Sequence, residues 1–173
     1  HAACKGMGTD EKRLIAALGS QSSETRCKVA KRYEEIHGKN LQKLIQSEFR
    51  IGQKDLGTAL QLLAVDPVHC DCDILRRACK GIGTNELLML TVLCGRTNQE
   101  MDLLKKKYFD VYEKDLGRVL DGELSGDIQK LVFNLLQAAE EEFDEDYHTE
   151  ALMEQDVTKL YEMGQGKVLG TDE

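Results

Sequence analysis

The strongest constraint on this chain is a glycine loop written twice. Cys4-Lys5-Gly6-Met7-Gly8-Thr9-Asp10-Glu11 returns further along as Cys79-Lys80-Gly81-Ile82-Gly83-Thr84-Asn85-Glu86. Each copy has its own distant acid: the interval from Thr9 to Glu48 is the same as the interval from Thr84 to Glu123. A single Gly-x-Gly-Thr run before a helix can be a plain turn between helices. Its repetition together with the acid describes an oxygen-lined cation site built once per unit. A phosphate-binding P-loop does not fit, because the lysine after the second glycine and the preceding strand are both missing.

The residues around the loops predict an all-α chain organised in repeats. Of 173 residues one is proline and none is tryptophan, and 31% are charged beside 41% hydrophobic. That composition suits a soluble helical protein better than a β-sandwich, and the length allows burial of about 70% of the unfolded surface. In the first unit Thr9 is expected to cap a helix running to about Gly19. A second helix starts after Ser22 or Ser23 and stops at Gly38, a third runs from the Asn40 cap to about Glu48, and a fourth covers about Lys54 to Ala64.

The second unit repeats this order behind an added helix, about Asp71 to Cys79. The helix from Asn85 to Cys94 has hardly any polar face and is expected to be central and surrounded. A long helix follows Thr97, with Lys105, Lys106 and Lys107 read as solvated surface, and Ser125 is expected to cap the last helix of the unit. Met153, Val157, Leu160 and Tyr161 mark one more amphipathic helix, whose apolar stripe is expected to lie uncovered and so to favour self-association or fraying. The boundaries are residues 1–66 and 67–139 for the two units, 140–147 for an acidic linker and 148–173 for the start of a third unit. Only His1 to Ala3 precede the first loop, so the first site is expected to be the more mobile. The whole reads as a truncated array.

Glycine lets the backbone turn successive carbonyl oxygens toward one point, and calcium accepts six to eight oxygens at loose geometry, so calcium suits these loops better than magnesium. A net charge of -8 opposes nucleic acid and anionic membranes alike. A loop-bound cation with positions left for phosphate oxygens would remove that repulsion for a lipid headgroup. No run reaches the length of a membrane-spanning helix and no charged-then-apolar leader is seen, which points to a cytoplasmic, peripheral protein.

The other motifs carry less. The six cysteines, Cys4, Cys27, Cys70, Cys72, Cys79 and Cys94, lack the paired spacing of a zinc site and read as free thiols in a reducing compartment. Cys70-Asp71-Cys72 reads as the first turn of a helix. The acidic run from Glu140 to Asp146 lacks the glycine and spacing of an EF-hand loop. His37, His69 and His148 stand at no catalytic spacing from a nucleophile, so no enzyme is indicated.

On these residues the chain resembles the annexin family, whose repeat carries a Gly-x-Gly-Thr loop followed by an acid at this same interval. Gly83-Thr84-Asn85-Glu86, Gly95-Arg96-Thr97, Glu123-Leu124-Ser125-Gly126 and Gly170-Thr171-Asp172-Glu173 extend the likeness. The resemblance implies right-handed superhelical repeats of about five short helices, and calcium-dependent binding to acidic phospholipid membranes.

Its calcium ligands map to the carbonyls of Cys4, Gly6 and Gly8 with the Glu48 carboxylate, and to those of Cys79, Gly81 and Gly83 with Glu123. A minor site maps to Thr9 with Glu11 and to Thr84 with Glu86. Asp71 and Arg96 match residues of the family's central channel, but Thr91 replaces an acid there, and the pair is read as a structural salt bridge. The third loop, with Gly166 and Gly170, is not expected to form a full site. The first unit departs from the pattern at Gln21, where the second has Arg96, and in Arg50-Ile51-Gly52 after Phe49, read as a one-residue insertion. Those departures support an alternative, a calcium-independent helical scaffold for a protein or cytoskeletal partner.

Overall fold

The computed structural model describes residues 1–5, 8–49 and 53–166. After a 3-10 turn at Ala2–Cys4 come α1 (Glu11–Gly19), α2 (Ser23–His37), α3 (Leu41–Glu48) and α4 (Lys54–Leu63). Then follow α5 (Pro67–Ala78), α6 (Glu86–Leu93), α7 (Asn98–Tyr112), α8 (Leu116–Asp121), α9 (Gly126–Leu136) and α10 (Glu150–Met163). Among the described residues every regular element is a helix.

Most helix starts follow from one side-chain oxygen accepting an otherwise orphaned amide. Ser22 accepts from the Thr25 N–H, Asn40 from Lys43, Asp115 from Arg118 and Thr149 from Leu152. Thr97 and Glu100 form a reciprocal capping box. Gly38 ends α2 at φ +61°, the left-handed terminator expected there.

Three starts differ from expectation. Asp10, not Thr9, caps α1 by accepting from the Arg13 N–H. The added helix begins at Pro67, ahead of Asp71, because Asp66 accepts from the His69 N–H and proline suits the first helical position. Cys70-Asp71-Cys72 is therefore its second turn. Ser125 precedes α9, but its side chain makes no capping bond, and neither does that of Gln53 before α4.

Two apolar clusters hold the helices from α1 to α9. In one, Leu14 and Leu18 of α1 meet Leu41 and Ile45 of α3, Phe49 and Leu60. In the other, Leu75 of α5, Met89 and Leu93 of α6, Leu104 and Tyr108 of α7, and Val132 of α9 pack together. The corresponding long helices differ: α7 buries Met101, Leu104 and Tyr108 beneath α5, whereas α2 buries no residue fully.

A polar joint ties the clusters. The Asp73 carboxylate on α5 accepts from the Gln42 side-chain amide on α3 and from the Tyr112 hydroxyl on α7, and the Arg76 guanidinium lies 4.6 Å from the Tyr112 ring centroid.

Helix α6 is less enclosed than its composition suggests. Met89, Val92 and Leu93 are buried, but Leu87 is 76% exposed and Thr91 is exposed. One side of α6 packs on α5 and α9, with Leu88 and Leu90 partly buried against that core, while Leu87 projects into solvent. The lysines of α7 also divide. Lys106 is solvated as expected, whereas Lys105 donates to the Leu136 carbonyl at 3.0 Å and Lys107 to the Asp66 carboxylate at 2.9 Å. The stripe Met153, Val157, Leu160 and Tyr161 of α10 is exposed.

Candidate cation-binding loops

Each glycine loop is closed at its base by the same backbone bond. The Asp10 N–H donates to the Ala3 carbonyl at 2.8 Å, and the Asn85 N–H donates to the Ala78 carbonyl at 2.9 Å. Directly beyond each bond, Asp10 or Asn85 caps the next helix, so the loop is pinned between two fixed ends. Within it, Gly8 and Gly83 take nearly the same left-handed conformation, at φ +88° and +84°, and Gly81 lies at +116°. A Cβ would meet nothing within 4 Å at any of the three. Backbone conformation, not crowding, selects glycine there.

The distant acids arrive at these loops from helix ends. Glu48 is the last residue of α3, and Glu123 follows the Gly122 that ends α8. The Thr9 Oγ1 donates to Glu48 Oε2 at 2.6 Å. The Thr84 Oγ1 donates to Glu123 Oε2 at 2.9 Å and also lies 3.1 Å from the Glu123 carbonyl oxygen. Sequence reading placed the acid near the loop but missed this threonine contact. The constant interval between threonine and acid was its signal.

Open depressions mark both places. One of about 400 Å³ is lined by Gly8, Thr9, Glu11, Ser47, Glu48, Phe49 and Gln53. Another of about 500 Å³ is lined by Ile82, Gly83, Thr84, Asn85, Glu86 and Leu87, with Glu123 joined to it through Thr84. Glu11 and Glu86, the residues of the minor sites, thus face the same hollows. Cys4 ends the 3-10 turn and Cys79 caps the C-terminus of α5, each leading into its loop. Gly6 lies outside the described residues, as do Arg50-Ile51-Gly52 and Gly170.

The donor chemistry suits a hard cation. Among the described residues no three His, Cys, Asp or Glu side chains gather where they could hold a metal, and a hard cation such as calcium also accepts main-chain carbonyl oxygens. The thiols do not compete. Burial first, then the Glu123 charge, pushes Cys79 up to about 11, and burial with Glu48 raises Cys4, so both stay protonated at neutral pH.

One feature differs from expectation. Helix α4 begins at Lys54, six positions after Glu48, whereas α9 begins at Gly126, three after Glu123, so the first unit is longer there by three positions, not one. Ile82, at the tip of the second loop, is fully exposed. Asp71 and Arg96 form an ion pair at 2.8 Å with side chains 15% and 29% exposed, and burial leaves the Asp71 carboxyl above its ordinary value despite the arginine.

The annexin family profile matches residues 1–59 and 70–135, across both loops. The chain belongs to the annexin family. Annexin A13 of Mus musculus is 38% identical to this annexin over 171 residues, which are 99% of the chain and 52% of that protein. The solved structure of annexin III superposes with a TM-score of 0.80 at 32% identity, over 99% of this chain and 51% of the other. Chicken annexin V gives 0.79 at 32%, over 95% and 50%. The all-α repeat fold expected from the sequence is the fold of these structures. The chain spans about half the length of annexin A13 and about a quarter to a third of other curated relatives it matches.

Proposed function

We propose that this annexin binds acidic phospholipid surfaces through calcium held at its two loops. Annexins in general are calcium-dependent phospholipid binders and not enzymes. The supporting observation in this chain is the repeated meeting of a left-handed glycine loop with a carboxylate from far along the chain. In the first loop the carbonyls of Cys4, Gly6 and Gly8 and the Glu48 carboxylate are the proposed ligands. In the second they are the carbonyls of Cys79, Gly81 and Gly83 with Glu123. Calcium there supplies positive charge that both a protein of net charge -8 and an anionic headgroup can coordinate.

The exposed side chains beside the second loop suit the same partner. Ile82 and Leu87 present apolar surface next to the ligand set, where a lipid interface would cover it. Among the described residues no helix is long and apolar enough to cross a membrane. The association we propose is peripheral and cytoplasmic, by repeats at residues 1–66 and 67–139, with an acidic linker at 140–147 and a third repeat starting at 148.

A calcium-independent scaffold finds its support in the first unit, where the chain between Glu48 and the next helix is longer than its counterpart. Calorimetry separates the readings. The chain should take up calcium, Glu123→Gln should abolish the stronger phase, and Glu48→Gln the weaker. Calcium uptake unchanged in both variants would sink the assignment of these carboxylates.

A further inference from the structure

We propose that Thr9 and Thr84 are positioning residues, whose hydroxyls hold the distant glutamates ready for calcium. The inference rests on the calcium reading above and goes beyond it by naming what sets each site's affinity. In both units the threonine stands where a helix cap would be sought, yet the cap is the next residue, Asp10 or Asn85. That displacement frees the hydroxyl, and in both units it goes to the acid: Thr9 to Glu48 at 2.6 Å, and Thr84 to Glu123 at 2.9 Å.

The glutamates need such a partner. Each sits at the C-terminal end of a short helix, Glu48 ending α3 and Glu123 just beyond α8. Unpaired carbonyls there make the local potential negative, so the helix end repels a carboxylate instead of holding it. Glu123 is also exposed, and a free glutamate side chain would sample many rotamers. One hydroxyl donor fixes the carboxylate at the rim of the glycine loop.

It does so without using up the ligand. A carboxylate offers about four lone-pair sites, and the threonine occupies one, on Oε2. Oε1 and the remaining pair on Oε2 stay available. Hydrogen-bond partners that orient a metal ligand typically contribute about 10- to 100-fold in affinity. The double contact of Thr84, to both the carboxylate and the backbone carbonyl of Glu123, fixes the main chain as well as the side chain.

The test is calcium calorimetry on the full chain carrying Glu48→Gln, so that the second loop alone reports. Thr84→Val keeps the shape and removes the donor, and should weaken calcium binding by about 10-fold or more. Thr84→Ser retains the hydroxyl and should bind within about 3-fold of its parent, which a purely steric role would not produce. Melting curves in chelator establish that each variant is folded.

Equal or tighter binding by folded Thr84→Val, with Glu123→Gln still inactive, overturns the positioning role and leaves the calcium site standing. Failure of Thr84→Ser to restore binding also overturns it. No calcium uptake by the parent or the unsubstituted chain would remove both proposals together.

Discussion

At the scale of single residues, chemistry is set more by depth than by residue type. All six cysteines are free, yet their surroundings differ sharply. Cys72 is fully buried, and burial, followed by the charge of Asp71, pushes its thiol up to about 12. Cys94 is exposed at the end of α6. A maleimide at neutral pH should therefore label Cys94 first and leave Cys72 unmodified until denaturant is added, as read by mass spectrometry of digested protein. Rapid labelling of Cys72 in the native state would mean that the α5–α7 packing is wrong. The sequence showed the thiols to be free but not their order of reactivity, because burial of Cys72 arises from α7, well downstream in the chain.

At the scale of elements, helix ends carry much of the specificity. Asp66 caps α5 through the His69 N–H and also receives Lys107 from α7. Burial pushes its carboxyl up, but these donors outweigh burial and hold it below the ordinary aspartate range. A depressed native value means the contribution is present above the unfolded pKa and disappears as pH falls through the native one. Asp66→Ala should thus cost about 1 kcal/mol near neutrality. The difference in urea midpoint should shrink when the comparison is repeated below about pH 4. A gap constant across that range would show that the charge has no part in it.

Which elements could be read beforehand follows from the same physics. Helices with a one-sided apolar stripe and a polar cap, such as α3 and α7, were legible at nearly the right residues. The expected start of α5 at about Asp71 lies too late because the Asp66-Pro67 pair, a cap followed by a first-turn proline, is itself a start signal. Helix α6 misled in another way: its apolar residues run all round, and composition alone does not reveal that Leu87 stays exposed. The segment after Glu48 was under-counted because no cap residue marks the start of α4, where Gln53 stands with φ +25°.

At the scale of the whole molecule, the two units meet through the Asp73 node, which no local pattern announced. Gln42, Asp73 and Tyr112 lie on three different helices and come together only in the fold. Asp73→Ala leaves both partners without their acceptor and should lower stability by about 1 to 3 kcal/mol. It should also broaden the thermal transition as α1–α4 lose coupling to the helices after them. A sharp transition at unchanged midpoint would contradict that joint. The meeting of each glycine loop with its distant acid, by contrast, was legible, since a repeated loop with a repeated acid needs only one constant spacing to be recognised. What spacing could not show was the threonine hydroxyl that joins the two.

The central claim is that calcium at these loops joins an acidic protein to an acidic membrane. Its most direct test is sedimentation with phosphatidylserine vesicles, with calcium, with chelator, and with the double variant Glu48→Gln and Glu123→Gln. The chain should pellet with vesicles only when calcium is present, and the double variant should stay in the supernatant at the same calcium concentration. Sedimentation that survives the chelator, or that the double variant retains, would contradict the account.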